Sequence, residues 1–324
     1  MEYRQLGNTD LKVSVVGDGC MTFGWRAETK EVDAIVSVAR DTGINLFDTS
    51  VSYGRGVSET LLGEALKRSG RRNEIIVATK FGQAATPDAK PHEIGNSRRV
   101  LMAQCELSLR RLQTDRIDLL QIHNFSAEVP IEETLSGLDQ LVRDGKVRYI
   151  GCSNFTGPQL LVAIQAVNDR NLCRIASHQA RFNILNRSAE TGVIRVAQHY
   201  GLGNLAYSPL AEGLLTGKYR IGEAFPTDSR FAAASPANNY RARLTPSISE
   251  ALTLLSEVSS KHALSLWKLA LAWVLACPAV SSTLVGPSTS MQVRQLIEVA
   301  DLILGSDLMD LVEKINPAGA SIVD

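Results

Sequence analysis

Four titratable side chains follow short apolar runs of the chain, where the runs end and loops begin. Asp48, Lys80 and His123 each close such a run, and Tyr53 lies in the loop just after Asp48. Each run is short, apolar and partly β-branched, and polar or glycine-containing segments flank it, which is typical of a buried strand. If these strands are parallel neighbours, all four groups meet at one edge of one sheet.

Together these groups can protonate an oxygen on which negative charge is building up. A tyrosine with a pKa of about 10 is normally a poor acid near neutrality. A charged Lys80 stabilises the phenolate of Tyr53, provided that Asp48 keeps the lysine charged, so the sequence predicts an unusually acidic phenol. His123 can hydrogen-bond a carbonyl oxygen and orient it toward Tyr53. The set contains no hydride source, so a reduced cofactor must be bound elsewhere in the chain.

Each of these side chains also has an ordinary structural explanation when it is taken alone. Asp48 could cap its loop, Tyr53 could pack with a wet hydroxyl, and His123 could orient a loop. Lys80 is harder to explain, because an ammonium behind five apolar or small residues costs free energy unless a carboxylate pairs with it. The coincidence of all four is more specific than any one of them.

Strand and helix patterns alternate along the chain from about residue 14. Strand candidates lie near 14–17, 44–48, 75–79, 118–122, 147–151, 174–178, 203–207 and 282–286. The segments between them carry apolar residues at i, i+3, i+4 and i+7, which is typical of amphipathic helices. Eight strands, each followed by a helix, predict the α/β class and a (β/α)8 TIM barrel, a fold of roughly 250 residues.

Boundary residues fit this pattern. The predicted helix N-caps are Ser58, Ser97, Thr156 and Ser188, with Pro130 in a first helical turn. The predicted left-handed residues at helix C-termini are Gly43, Gly70, Gly145 and Gly201. Outside the barrel, we expect an N-terminal β-hairpin at 3–13, a long loop at 221–245 and an extra C-terminal helix at 307–315. Residues 1–324 are expected to form a single domain.

Composition narrows the class of partner. The 324 residues carry no net charge and no lysine or arginine tract, which argues against nucleic acid or an anionic membrane. The chain start leads into no apolar signal core, and the apolar stretch 269–277 is too short to span a bilayer. The 5 cysteines show no paired spacing, and no metal-ligand motif is present. We expect a cytoplasmic protein that acts on a small molecule, and its oligomeric state stays open.

Three further strand ends suit a nicotinamide. Ser153 and Asn154 follow the fifth strand, and Gln179 follows the sixth, so all three can hydrogen-bond a carboxamide. Tyr207 ends the seventh strand and offers a ring face for stacking. Any one of these residues could belong to an ordinary loop, but their order along consecutive strand ends favours a binding site.

Two later segments suit phosphates. The segment from Ser208 to Lys218 can hold a pyrophosphate through its backbone amides and these two side chains. The last strand runs into Gly286 and Ser288 directly before a helix, whose N-terminus is a natural anion site for an adenosine phosphate. The glycine spacings match neither a Rossmann fingerprint nor a P-loop.

The chain resembles the aldo-keto reductase superfamily, particularly the branch that contains bacterial reductases and potassium-channel β subunits. The resemblance runs from Arg4 to about residue 304. The motifs that carry it are Asp48-Thr49, Tyr53-Gly54, Ser58 to Gly63, Lys80, His123, Gly151 to Asn154, and Tyr207 through Tyr219. It implies reduction of an aldehyde or ketone by NAD(P)H, with Tyr53 as the acid and Asp48, Lys80 and His123 assisting it.

The resemblance also implies an extended cofactor across the barrel mouth. The cofactor-binding candidates are Cys20, Met21, Asp48, Ser153, Asn154, Gln179, Tyr207, Ser208, Leu210, Gly213, Lys218, Arg230, Gly286, Ser288, Gln292 and Gln295. Family similarity favours NADPH, with support from Lys218 and Arg230. NADH is the alternative, because Ser288 and Thr289 stand where many relatives carry lysine or arginine. Candidate substrate-wall residues, which could equally be packing, are Trp25, Phe23, Phe81 and Phe125, and they suggest an apolar or aromatic aldehyde.

Two other functions stay open. In a barrel aldolase, Lys80 would form a Schiff base with the substrate, which leaves Tyr207 and the phosphate-like segment unexplained. In a redox-sensing regulatory subunit, the cofactor would be bound but turned over slowly. Trapping of substrate on Lys80 by borohydride would favour the first, and a kcat near zero with every aldehyde would favour the second.

Overall fold

The computed structural model describes residues 1–227, 229–232 and 240–323, so part of the predicted loop at 221–245 lies outside the described residues. The N-terminal hairpin consists of β1 (Tyr3–Gln5) and β2 (Lys12–Ser14). The following strands are β3 (Val16–Gly19), β4 (Leu46–Asp48), β5 (Ile76–Phe81), β6 (Ile117–Ile122), β7 (Val147–Ser153), β8 (Ile175–Arg181), β9 (Gly203–Tyr207) and β10 (Val280–Val285). These strands close a parallel barrel in the order β10-β3-β4-β5-β6-β7-β8-β9.

Helices alternate with the barrel strands and surround them. They are α1 (Thr29–Asp41), α2 (Val57–Ser69), α3 (Arg98–Leu112), α4 (Ile131–Arg143), α5 (Gly157–Asp169), α6 (Ser188–Thr191), α7 (Val193–His199), α8 (Pro246–Lys261), α9 (Leu266–Leu275), α10 (Ser290–Ala300) and α11 (Ser306–Ile315). The predicted TIM barrel with an N-terminal hairpin and an extra C-terminal helix is therefore confirmed.

An apolar layer between strands and helices holds this arrangement together. Side chains alternate along a strand, so every second barrel residue points outward into this layer. Val32 and Ile35 of α1 pack there with the outward-facing Phe47 and Phe81. Burying each such side chain contributes roughly 1.5–3 kcal/mol to folding. The layer therefore fixes the strands whose inward and terminal residues form the site.

The hairpin closes the end of the barrel where the strands begin. Leu6 is fully buried and packs with barrel-interior residues such as Leu205 and Leu284. At Gly7, φ is +55°, and an added Cβ would lie 2.4 Å from the amide nitrogen of Gly203. Only glycine allows this approach. The open mouth is therefore the opposite end, where the strands finish.

The helix-boundary predictions are partly confirmed. Ser97 accepts a hydrogen bond from the amide of Val100, and Thr156 forms a capping box with Gln159. Positive φ values are found at the predicted glycines, which are Gly43, Gly70, Gly145 and Gly201. Pro130 lies one residue before α4.

Two predicted caps are wrong. Ser58 is the second residue of α2, and its hydroxyl donates to the backbone oxygen of Cys20 instead of capping the helix. Ser188 is the first residue of α6, which Arg187 precedes at the cap position. Both errors arise because the chain before these helices follows tertiary contacts that local sequence does not encode. Within the described residues, no helix is both long and apolar enough to cross a membrane.

Candidate active site

Three adjacent parallel strands bring the charged side chains to one rim of the barrel. Asp48 is the last residue of β4, and His123 directly follows β6. Lys80 lies inside β5, which continues to Phe81, so this strand is one residue longer than the sequence suggests. Because β5 pairs with both β4 and β6, the three residues lie side by side at the carboxyl ends of the strands.

A buried ammonium group connects the acid and the carboxylate. Lys80 and Asp48 are 0% and 3% exposed and form an ion pair. Lys80 Nζ also donates to the backbone oxygen of Thr49 at 3.0 Å and to the hydroxyl of Tyr53 at 3.3 Å. All three protons of the ammonium therefore have acceptors, as a buried charge requires.

The carboxylate of Asp48 is held from its other side by two amides. Its Oδ2 accepts hydrogen bonds from Gln121 Nε2 at 2.9 Å and from Gln179 Nε2 at 2.8 Å. Gln121 was not among the predicted site residues. A glutamine inside the apolar run 119–122, two residues before His123, is the sequence signal that could have identified it.

The charge state of this cluster follows from burial and proximity. Burial lowers the pKa of Lys80, but Asp48 and Tyr53 together outweigh it, so the net shift is upward and the ammonium persists. Burial raises the pKa of Tyr53 above its usual value, and Lys80 offsets only part of that rise. The expectation of an unusually acidic phenol is therefore wrong for the protein alone. Tyr53 is a neutral phenol that has an ammonium beside its oxygen.

His123 is neutral and faces Tyr53. Its Nδ1 lies 3.1 Å from Ser50 Oγ, and its ring centroid lies 6.1 Å from that of Tyr53 at an interplanar angle of 84°. Burial, followed by the positive charge of Lys80, lowers the pKa of His123 to about 3. In the tautomer whose Nδ1 accepts from Ser50, Nε2 carries the proton and can donate to a carbonyl oxygen.

A tight turn positions Tyr53. The turn Tyr53–Gly56 contains three consecutive residues with positive φ, namely Gly54, Arg55 and Gly56. Arg111 of α3 fixes it by donating to the backbone oxygens of Arg55 at 3.4 Å and Ala85 at 2.7 Å. The role of Arg111 is not predictable from the sequence, because 58 residues separate it from Tyr53 and its own helix pattern is ordinary.

An open cleft of about 340 Å³ extends from Tyr53 across the barrel mouth. The predicted residues that line it, besides Tyr53, are Met21, Asp48, Gln179, Tyr207, Ser208, Leu210, Gly213, Lys218, Arg230, Gly286, Ser288, Gln292 and Gln295. Lining residues that the sequence does not predict include Thr22, Arg26, Glu212, Tyr219 and Trp267. The cleft therefore joins most of the predicted strand ends into one surface.

The remaining cofactor candidates lie beside the cleft. Cys20 is fully buried, and its thiol lies 3.7 Å from the backbone oxygen of Asp18, so its side chain is not exposed to the cleft. Ser153 is buried and donates to the backbone oxygen of Gln179. Asn154 donates to the backbone oxygen of His123 at 3.0 Å and accepts from Tyr207 at 2.8 Å. This last bond fixes the ring of Tyr207 at the lip of the cleft.

The segment after β9 has an unusual backbone. Ser208, Ala211 and Glu212 have φ of +52°, +47° and +59°, and Gly213 follows with +104°. A non-glycine residue in this region costs of order 1–3 kcal/mol, and such residues cluster at ligand sites. The segment borders the cleft together with Lys218. The strained residues therefore belong to the segment that the sequence predicts to bind a pyrophosphate.

The N-terminus of α10 is not the open anion site that the sequence predicts. The amide of Ser290, the first residue of the helix, donates to Glu31 Oε1 at 2.5 Å. Glu31 belongs to α1, which packs against α10. A carboxylate of the protein therefore occupies the position that was predicted for an adenosine phosphate.

Two of the predicted substrate-wall residues are buried in the core. Phe23 and Phe81 are fully buried in the apolar layer between strands and helices, so the prediction is wrong for both. For Phe81 the reason is strand alternation: Lys80 points into the barrel and Phe81 therefore points out. Phe125 packs edge to face on Phe155 at 5.3 Å. Trp25 is 46% exposed, and the guanidinium of Arg230 lies 5.4 Å from its ring centroid.

Comparison with known proteins identifies the family of the chain. Residues 15–317 match the model of the Aldo/keto reductase family. The chain is 34% identical over 324 residues to the uncharacterized oxidoreductase YrpG of Bacillus subtilis (strain 168), covering 98% of this chain and 96% of that protein. It is 32% identical over 320 residues to a probable voltage-gated potassium channel subunit beta of Arabidopsis thaliana, covering 97% and 96%.

A third relative is the L-glyceraldehyde 3-phosphate reductase of Escherichia coli (strain K12), which is 32% identical over 308 residues, covering 92% of this chain and 87% of that protein. The family model and these relatives span nearly the whole barrel, including every residue of the cluster around Tyr53. The chain is an oxidoreductase and belongs to the aldo/keto reductase family.

Proposed function

We propose that this chain reduces the carbonyl group of an aldehyde or ketone to an alcohol, with NAD(P)H as the reductant. The observation that carries the proposal is the 3.3 Å contact between the Lys80 ammonium and the Tyr53 hydroxyl, in a cleft that Tyr53 lines. This contact provides a proton donor and a charge that stabilises the resulting anion at the same point.

The residues of the cleft fit a nicotinamide dinucleotide. When bound, the reduced nicotinamide supplies a hydride. Gln179 commits its Nε2 to Asp48 and Gln121, which leaves its Oε1 to accept from a carboxamide. The ring of Tyr207 provides a stacking face. The strained segment from Ser208 to Gly213, together with Lys218 and Arg230, would hold the pyrophosphate.

The protein's own groups perform the proton chemistry. Tyr53 donates its hydroxyl proton to the carbonyl oxygen while negative charge develops there. Lys80 stabilises the phenolate that remains, and Asp48 keeps Lys80 charged. His123, neutral because of its lowered pKa, donates a hydrogen bond from Nε2 to the same oxygen and orients it.

The substrate is a small carbonyl compound at the end of the cleft near Tyr53. Trp25, which is 46% exposed, and the half-buried Phe125 are the candidate walls that remain after Phe23 and Phe81 are excluded. One relative is named for the reduction of a phosphorylated aldehyde, and Arg26 in the cleft fits an anionic group of that kind.

The geometry disfavours a Schiff-base mechanism. A nucleophilic lysine must be a neutral amine with a free lone pair. The ammonium of Lys80 donates to Asp48, Thr49 and Tyr53, and its pKa is raised. Lys80 therefore supports Tyr53 better than it could attack a carbonyl carbon.

The test is a binding titration followed by turnover. We expect NADH or NADPH to quench the tryptophan fluorescence of the protein, and the dinucleotide that binds to be oxidised at 340 nm in the presence of an aldehyde panel. Failure of both dinucleotides to bind would refute the proposal. Binding without turnover of any aldehyde or ketone would favour the redox-sensing alternative.

A further inference from the structure

Gln121 lies at the centre of the polar contacts inside the barrel. It is fully buried, and its Nε2 donates to Asp48 Oδ2 at 2.9 Å. Its Oε1 accepts from Gln179 Nε2 at 3.3 Å, and Gln179 Nε2 also donates to Asp48 Oδ2 at 2.8 Å. Gln121 is therefore bonded both to the carboxylate that pairs with Lys80 and to the amide that is proposed to bind the nicotinamide.

The carboxylate of Asp48 fixes the direction of both amides. An ionised carboxylate has no donor, so each glutamine must present its NH2 group to Asp48 Oδ2. Reversing either amide would place an oxygen against the carboxylate and break this bond. The three side chains therefore form a closed triangle of hydrogen bonds, in which each one contacts the other two.

The neighbouring strands hold the side chain of Gln121 in place. On one side, Gln121 pairs with Lys80 of β5. On the other side, it pairs with Gly151 of β7, where an added Cβ would lie 3.1 Å from Gln121 Cγ. The glycine thus leaves just enough room for the glutamine. Gln121 has little freedom to move away from Asp48.

The charged groups next to Gln121 are Asp48 and Lys80. Asp48 Oδ1 forms the ion pair with Lys80, while Asp48 Oδ2 accepts from the two glutamines. Lys80 Nζ lies 3.3 Å from the hydroxyl of Tyr53. A rotation of the carboxylate would move the acceptor of Lys80, and this would change the distance from the ammonium to the phenol.

We propose that Gln121 is a positioning residue for the proton transfer, because it holds the Asp48 carboxylate in the orientation that keeps the Lys80 ammonium against the Tyr53 hydroxyl. The inference rests on the proposed function, since it concerns the same proton donor. Gln121 is not among the described residues that line the cleft. It therefore acts through Asp48 and not on the substrate.

The first test is Gln121→Met, which keeps the length of the side chain and removes its two polar atoms. Asp48 Oδ2 then retains one donor, Gln179, and the carboxylate can rotate. A misplacement of about 1 Å can lower a rate by roughly 100-fold, so we expect kcat to fall by about 10- to 100-fold. Gln179 keeps its bond to Asp48, so Kd for NADH or NADPH should change by no more than about threefold in a fluorescence titration.

The second test is Gln121→Glu, which has a readout that a merely structural role would not change. When it is protonated, the new carboxyl group can donate to Asp48 and accept from Gln179, as the amide does. Burial and the carboxylate of Asp48 raise its pKa above the ordinary value of about 4.3, although Lys80 opposes this rise. Once ionised, it becomes a second carboxylate that repels Asp48.

The activity of Gln121→Glu should therefore depend on pH, whereas that of the unmodified protein should not. We expect the kcat of the variant to lie within about threefold of the unmodified value at pH 5, where the new group is mostly protonated. At pH 9 it should be at least about tenfold lower than the unmodified value.

Asn204→Asp is the matched control. Asn204 is 2% exposed near the start of β9, at the closed end of the barrel, and its Nδ2 donates to the backbone oxygen of Ala279 at 3.0 Å. This variant also exchanges a buried amide for a carboxyl group, but at the opposite end from Asp48. It should lower the melting temperature at pH 9 without making kcat depend on pH. Melting temperatures of all variants at pH 5 and 9 check that each protein is folded.

Three results would overturn the inference: full kcat in a folded Gln121→Met protein, a flat pH profile for Gln121→Glu, or the same pH dependence in Asn204→Asp. In each of them the unmodified protein is still an active reductase, so the proposed function stands. If the unmodified protein oxidises neither dinucleotide with any carbonyl compound, the proposed function itself fails and the inference fails with it.

Discussion

The guanidinium of Arg111 lies against Gly56, the last residue of the turn that carries Tyr53. A Cβ at Gly56 would lie 2.0 Å from the guanidinium carbon, and the φ of this glycine is +94°. Arg111 also donates to the fully buried carboxylate of Glu59 at 3.2 Å. The position of the proposed acid is therefore set by a side chain of α3, which touches neither the cleft nor the Lys80 cluster.

Replacing Arg111 should impair turnover without affecting dinucleotide binding. Arg111→Met removes the bonds to Arg55 and Ala85, so the turn can shift. A misplacement of about 1 Å can lower the rate by roughly 100-fold. We expect kcat to fall by about 10- to 100-fold, with Kd for the dinucleotide within about twofold, in steady-state kinetics and fluorescence titration.

The exposed neighbour Arg110 provides the control for this variant. Arg110→Met should leave kcat unchanged, because its side chain points to solvent. Arg111→Met also leaves the buried Glu59 without its cationic partner, which can destabilise the protein. The melting temperature of the variant must therefore be measured, to separate loss of folding from misplacement of Tyr53. A folded Arg111→Met protein with full kcat would contradict the positioning role.

Tyr53→Phe should remove the proton donor, together with one of the three acceptors of the Lys80 ammonium. The ring stays, so its edge-to-face contact with His123 is retained. Positioned general acids contribute about 10²- to 10⁴-fold to rates, and we expect kcat to fall within that range. Dinucleotide affinity should stay within about twofold, as measured by fluorescence titration. Unchanged turnover of an aldehyde that the unmodified protein reduces would exclude Tyr53 as the acid.

The rate of reduction should be almost independent of pH around neutrality. The pKa of His123 is lowered to about 3, and the pKa of Tyr53 is raised above its usual value. Between about pH 5 and 9, His123 therefore stays neutral and Tyr53 stays protonated, so neither titrates. We expect a flat profile of kcat against pH in this range and a decline at higher pH as Tyr53 loses its proton. An inflection near pH 6.5 that disappears in His123→Asn would show that the histidine titrates during turnover.

The sequence predicts the barrel because its signals are local and repeated. Each buried strand followed by an amphipathic helix carries its own periodicity, and the strand ends place Asp48, Lys80 and His123 at one rim. What it does not predict depends on tertiary contacts. The sequence does not show that Phe81 points away from the site, because the strand register decides whether a residue faces into or out of the barrel. Glu31 was missed because its contact with Ser290 spans 259 residues.

The direction of the pKa shifts within the site also cannot be predicted from the sequence. Proximity of Lys80 to Tyr53 could be inferred, but the sign of the pKa shift depends on how deeply the phenol is buried. Gln121 shows the same limit. A single glutamine in a strand indicates a polar contact, whereas only the closed barrel shows that the contact is the second oxygen of Asp48.

A buried carboxyl group outside the proposed mechanism should make folding stability depend on pH. Asp18 is 1% exposed and lies in β3 beside Phe47 and Val285. Its Oδ2 has no hydrogen-bond partner among the described residues, and its Oδ1 lies 3.9 Å from the thiol of Cys20. Burial raises the pKa of Asp18 to about 8. The carboxyl group is therefore largely protonated in the folded protein at neutral pH.

The sign of the effect follows from proton linkage. The unfolded chain has an aspartate pKa of about 3.9, so between about pH 4 and 8 the folded state binds more protons than the unfolded state. The free energy of unfolding must therefore decrease as the pH rises through this range. At about 1.4 kcal/mol for each pKa unit, the total decrease is of order 5 kcal/mol.

Asp18→Asn should remove most of this dependence. At pH 5 the variant and the unmodified protein should have similar free energies of unfolding in urea, because a protonated carboxyl and an amide are close in size and polarity. At pH 8.5 the variant should be more stable by several kcal/mol. Asp41→Asn is the control, since Asp41 is exposed and its lowered pKa keeps it ionised throughout. If the urea midpoints of the unmodified protein and Asp18→Asn change in parallel from pH 5 to 8.5, the carboxyl group of Asp18 does not titrate as its burial requires.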